Sequence, residues 1–144
     1  MDDSIMKKII LTIFVLGFFF SVPNVQSGTV TVKITGIKDI KGNILIGLFN
    51  KSTGYPDIGK EYKGITIKLK AKSVTYTFVD VPPGEYAIGI VQDINKNGTM
   101  DYTFLGWPQE RYAVSGKPHH LGRPTFEKAK FKLKNKYTIK LKLK

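Results

Sequence analysis

The chain contains no cysteine. That excludes disulfides, thiolate metal sites, a cysteine nucleophile and an N-terminal lipid attached through sulfur. Acids are scarce: 11 Asp+Glu stand against 23 Lys+Arg, a formal net charge of +12 at pH 7. A chain this basic is drawn to anionic surfaces, whether polysaccharide, phospholipid headgroup or nucleic acid. Only two histidines occur, His119 and His120. Neighbours on an extended segment point opposite ways, so the two chelate poorly and lack a third ligand at convincing spacing. No serine sits in a nucleophile elbow, and no glycine-rich phosphate loop is present. These absences point away from catalysis, and the chain reads as a non-enzyme. A sustained helical period is missing as well, which leaves strands to form the fold.

The first 27 residues read as a signal peptide. Lys7-Lys8 form a positive n-region, Ile9 to Val22 an apolar run, and Val25-Gln26-Ser27 a small-residue cleavage site. The run falls short of the roughly 20 apolar residues of a membrane span. Cleavage after Ser27 leaves residues 28–144 as one domain with a modest core and no integral membrane span. The expected location is periplasmic or extracellular. Export makes nucleic acid an unsuitable partner and leaves an anionic envelope component or glycan.

Beyond the leader the chain is strand after strand. Val30, Val32 and Ile34 alternate with Thr29, Thr31 and Lys33, the signature of a half-buried strand. Ile44 to Phe49 is apolar on both faces and suits the centre of a sheet. Asn50 to Lys63, with Gly54, Pro56 and Gly59, reads as a long loop. Alternation resumes at Ile65-Ile67-Leu69, at Val74-Tyr76-Phe78 and at Tyr86-Ile88-Ile90. Val81-Pro82-Pro83-Gly84 is a tight turn in which Gly84 is expected to supply positive φ. Phe126 to Lys134 and Tyr137 to Lys144 read as a terminal hairpin joined at Asn135-Lys136. About seven to eight short strands with regular turns predict an all-β sandwich.

One stretch carries site chemistry. Asp93-Ile94-Asn95-Lys96-Asn97-Gly98-Thr99-Met100-Asp101 places oxygen-bearing side chains at alternate positions, then a glycine, then a second carboxylate. A hard cation needs several oxygens converging on one point, and this spacing supplies them. In the register of a calcium-binding EF loop, Asp93, Asn95 and Asn97 take the first, third and fifth positions. The Thr99 carbonyl takes the seventh and Asp101 the ninth. The bidentate twelfth ligand is missing, because Phe104 stands there, so the loop is not an EF-hand. Glu110 is the nearest replacement carboxylate. Two neutral Asn and Lys96 predict weak calcium binding, with Kd of ~10⁻⁴–10⁻³ M. Without metal, the same side chains would close Asx-turns on their own backbone.

Two further stretches stand out. Lys128, Lys130, Lys132 and Lys134, and then Lys140, Lys142 and Lys144, recur with a period of two. On a terminal hairpin all seven would share one outward face, either an anion-binding surface or a solvated one that discourages edge aggregation. The segment Leu105 to Tyr112 holds the only tryptophan, Trp107, close to Tyr102 and Phe104. Exposed, these rings would suit a sugar or peptide; packing of the long loop onto the sheet is the expectation.

Gly42 to Phe49, Phe78 to Ala87, Asp93 to Gly98, Gly106 to Glu110 and Pro124 to Ala129 occur in an order that resembles the DUF2141 family of exported bacterial proteins. The resemblance covers nearly the whole chain beyond the leader. It implies a prealbumin-like or immunoglobulin-like sandwich and no assigned activity. The Pro-Gly-x-Tyr strand followed by an acidic loop is also similar to repeat domains of bacterial surface adhesins, whose loop binds calcium. That likeness implies Asp93, Asn95, Asn97 and Asp101 as ligands. The expected role is therefore an exported binding or structural module of the cell envelope, with binding of anionic lipid or glycan by a basic face as the alternative.

Overall fold

The computed structural model describes residues 26–116 and 122–144. The expected leader, apart from its last two residues, and both histidines lie outside the described residues. The strands are β1 (Gly28–Thr35), β2 (Asn43–Phe49), β3 (Lys63–Lys68), β4 (Val74–Val81), β5 (Gly84–Asp93), β6 (Tyr112–Val114), β7 (Phe131–Leu133) and β8 (Lys136–Lys142). One short helix, α1 (Phe126–Ala129), precedes β7. The fold is the all-β sandwich that the alternation predicts.

The first sheet has the order β4-β1-β8, and the second β3-β2-β5-β6, with β7 also paired to β5. Val30, Val32 and Ile34 of β1 are fully buried. They meet Ile44, Ile46 and Leu48 of β2 and Ile88 and Ile90 of β5 in one core. Burying each such side chain stabilises by about 1.5–3 kcal/mol, so this layer fixes which face of every strand points inward. The outer face of the second sheet is covered by a second cluster of Phe49, Tyr55, Ala87, Phe126 and Ala129. That covering explains why β2 and β5 are apolar on both faces.

Two expectations are corrected by the topology and the turn geometry. The terminal hairpin does not form. Phe126–Ala129 is helical, β7 pairs antiparallel with β5, and β8 runs parallel to β1 in the other sheet. The physical reason is that a period of two says which side chains seek the core but not from which sheet. Leu133 enters the core from the second sheet, Leu141 from the first. Phe131 and Tyr137, stacked with centroids 3.9 Å apart, bind the two strands across the crossing. In the Pro82-Pro83 turn, Gly84 is not left-handed; the positive φ nearby belongs to Asp80, at 52°, in the β4 bulge that shifts the register with β1. Two prolines already fix φ in the turn, so it closes without a left-handed residue of its own.

Candidate functional site: an acidic loop and its aromatic arm

β5 delivers Asp93 to the edge of the sandwich as its last residue, opposite Asn43 of β2. The Asp93 side chain is buried. Its two carboxylate oxygens accept the backbone N–H groups of Asn97, at 3.1 Å, and Gly98, at 2.8 Å. Asn95 Oδ1 accepts the Asn97 N–H at 3.1 Å, and Asn97 Oδ1 accepts the Thr99 N–H at 3.0 Å. These are Asx-turns, in which a short polar side chain replaces a backbone carbonyl. Lys96 and Gly98 take positive φ, 64° and 81°, to make the curl.

The two asparagines also converge on one carboxylate. Asn95 Nδ2 donates to Asp101 Oδ2 at 2.6 Å, and Asn97 Nδ2 donates to Asp101 Oδ1 at 2.9 Å. Glu110 lies beneath them, buried, and accepts the Ile94 N–H at 2.8 Å and the Asp101 N–H at 3.4 Å. Burial pushes the Glu110 carboxyl above the usual carboxylate range. Its two N–H donors oppose that rise, and the charges of Asp93 and Asp101 add to it. The structure thus draws Asp93, Asn95, Asn97, Thr99, Asp101 and Glu110 into one hydrogen-bonded network.

Whether this network suits a hard cation depends on where its oxygens point. Among the described residues no three acidic, histidine or cysteine side chains converge closely enough to hold an ion by themselves. A cation here would rely on Asp101 with the two asparagines. Both amides now turn nitrogen toward Asp101. Rotating them would present two carbonyl oxygens at the same place and release the Asx-turn bonds. Any cation placed there would have to displace these internal hydrogen bonds.

Asp101 also begins an arm. Gln109 N–H bonds the Asp101 carbonyl at 2.9 Å, Thr103 N–H bonds the Trp107 carbonyl at 2.8 Å, and Gly106 N–H bonds the Thr103 carbonyl at 2.9 Å. Trp107 N–H adds a bond to Thr103 Oγ1 at 3.0 Å. With Gly106 at φ 80°, this is a hairpin turned by three residues, the last of them the left-handed glycine. The arm displays its apolar residues. Phe104 is 102% exposed, Leu105 78% and Trp107 65%. This corrects the expectation that the aromatic segment packs onto the sheet. The hairpin satisfies its own backbone, so the rings are not required as anchors.

Between arm and sheet lies a cleft of about 530 Å³. It is lined by Gly89 and Val91 of β5, by Tyr102 and Trp107 of the arm, and by Pro56 and Pro124. That volume falls within the roughly 300–1,000 Å³ of small-ligand sites. Arg123, also on the rim, is ion-paired with Asp57. The sequence signal for the arm was present in Thr103-Phe104-Leu105-Gly106, a turn with glycine at the left-handed position.

The seven lysines do not share a face. Lys130 binds Glu85 at 2.9 Å and Glu127 at 2.8 Å, contacts that hold its ammonium above the usual lysine range. Lys132 faces Glu85 in register on the second sheet. Lys128 and Lys134 are exposed near the same strand. Lys140 and Lys142 belong to β8 in the first sheet, and the Lys144 N–H bonds the Tyr112 carbonyl at 3.1 Å.

Residues 32–140 match the profile of DUF2141, described as an uncharacterized protein conserved in bacteria. The chain belongs to the DUF2141 family. The match begins within β1 and ends within β8, so it takes in both sheets, the acidic loop and the arm. No curated protein and no solved structure matches this DUF2141 chain.

Proposed function

We propose that this DUF2141 protein is an exported, non-enzymatic binding module of the bacterial cell envelope. Its acidic loop acts as a weak calcium-type brace that sets the position of the aromatic arm. The observation that carries this reading is the double role of Asp101. It receives both asparagine amides of the loop and is the first hydrogen-bonded residue of the arm. Order in the loop and placement of the arm are thereby one event. The carboxylates support a structural duty rather than a catalytic one, since those of Asp93 and Glu110 each accept two backbone N–H groups. Calcium, held by Asp101, Asn95 and Asn97, would supply charge neutralisation at the root of the arm.

Export rests on the leader-like sequence and on β1 starting at Gly28, the first residue that the expected cleavage leaves. Among the described residues no helix is long and apolar enough to cross a membrane. An anionic envelope partner suits the net charge of +12.

Fractionation of the producing cell, intact mass and Trp107 fluorescence test the reading together. The expected product starts near Gly28, lies outside the cytoplasm and changes its tryptophan emission when millimolar calcium is added. A cytoplasmic product that keeps the apolar run Ile9 to Val22 overturns export. Emission insensitive to calcium overturns the brace.

A further inference from the structure

The register of the first sheet builds a surface that no single strand reveals. On β1 the outward residues are Thr29, Thr31, Lys33 and Thr35, alternating with buried Val30, Val32 and Ile34. Thr31 stands beside Thr77 of β4 and Thr138 of β8, and its hydroxyl lies 2.9 Å from that of Thr77. Lys33 stands between Thr75 and Lys140. Thr29 is beside Lys136, and Thr35 beside Lys142. With strands ~4.8 Å apart and same-face residues ~6.6 Å apart along each strand, the face is a flat grid of hydroxyls and ammonium groups.

The grid is uncompensated. Lys33, Lys136, Lys140 and Lys142 take part in no ion pair among the described residues. The ion pairs involve Asp57, Glu85 and Glu127, on the second sheet and the segments beside it. The one acid on these three strands, Asp80, is exposed in the bulge at the end of β4, beyond the register that holds Lys33 and Lys140, and makes no ion pair with a lysine of the face. Like charges directly opposed across strands destabilise a sheet, yet Lys33 and Lys140 are opposed. Protection against edge pairing accounts for lysines on β8, an edge strand. It does not account for Lys33, which sits on the central strand between β4 and β8.

We propose that the outer face of the first sheet docks an acidic polysaccharide. The lysines meet its carboxylate, sulfate or phosphate groups, and the threonines exchange hydrogen bonds with sugar hydroxyls. A membrane surface fits less well, because interfacial binding calls for aromatic or aliphatic side chains and this face exposes only Val79. Single-stranded nucleic acid calls for stacking rings, which the grid lacks. The acidic polysaccharide would be the partner of the proposed envelope module. The inference rests on that reading for the source of the glycan, not for the contact.

The test uses the purified protein with heparin and a polyuronate, neutral dextran as control, and phosphatidylcholine vesicles with and without phosphatidylglycerol. Binding to both acidic polymers but not to dextran is expected, weakening steeply with salt, as for exposed charges screened over ~8 Å at physiological ionic strength. A K33Q/K140Q variant should lose affinity by about tenfold while its melting temperature holds or rises. K128Q/K132Q, on α1 and on β7 of the other sheet, should bind as wild type. Three results overturn the proposal: no polymer binding at low salt, equal losses in both variants, or vesicles bound more tightly than either glycan. Export is read separately by mass and fractionation, so a failure of the face is distinct from a failure of the envelope reading.

Discussion

Gly42 lies so close to Asp93 that a Cβ on Gly42 would overlap the Asp93 carbonyl oxygen and approach the Ile94 Cα to 2.6 Å. The turn before β2 is thus pressed against the root of the acidic loop, and Gly42 adopts φ 73° to fit. Gly98, at the loop's own curl, has φ 81° but nothing within 4 Å of an added Cβ. Gly98→Ala should therefore carry only the left-handed penalty, about 1–2 kcal/mol. Gly42→Ala carries that penalty and a backbone clash, and should destabilise more. Urea unfolding of both variants checks the order; equal losses would mean that the contact at Asp93 yields without strain.

The arm makes a contrast between two phenylalanines. Phe104 is fully exposed at its tip, whereas Phe126 is buried against Tyr55 with ring centroids 5.9 Å apart. Phe126→Ala should lose about 3–5 kcal/mol. Phe104→Ser should stay within about 0.5 kcal/mol, as surface changes do. A large loss from Phe104→Ser would show that the tip packs after all.

The strands that bury one face were legible, because alternation in β1, β3 and β4 reports burial directly. The acidic loop was legible for a different reason: Asp, Asn and Gly at fixed offsets have few other uses. Glu110 was found by proximity, since the arm is short enough to return it beneath Asp93. What the sequence could not carry was partnership. The lysine periods of β7 and β8 look alike, yet Leu133 and Leu141 enter the core from opposite sheets. Nor could it show that Thr103 to Trp107 closes on itself and frees Phe104, because aromatic composition is the same for an anchor and for a display. Lys33 and Lys136 went unnoticed because their neighbours come from strands far away in the chain.

Calcium at the loop should be measurable as stability. Ion binding to the folded state alone adds RT ln(1 + [L]/Kd), about 1.4 kcal/mol at a tenfold excess over Kd. For a domain of this size that raises the melting temperature by several degrees, at roughly 4–8 °C per kcal/mol. Asp101→Ala should erase the rise, and His119→Ala should leave it. Magnesium should do less, because it gives up its water reluctantly and demands octahedral geometry. Identical melting curves in EDTA and in calcium would leave the loop as a set of Asx-turns.

Glu110 supplies a pH signature of the same site. Burial and the charges of Asp93 and Asp101 raise its pKa in the folded protein, against the pull of the Ile94 and Asp101 N–H groups. The unfolded chain holds this proton less tightly, so between the ordinary glutamate pKa and the raised one the folded state binds more protons. Stability from this group is then complete below the ordinary pKa and is lost as pH rises through the folded value. Glu110→Gln removes the titration while keeping a carbonyl acceptor for one of the two N–H groups. The variant should be less stable than wild type in acid, and the gap should narrow or reverse toward neutral pH. Because the other carboxylates are common to both proteins, the difference between their melting temperatures across this range isolates Glu110. A difference that does not change with pH would mean that Glu110 ionises inside the loop as freely as it does in the unfolded chain.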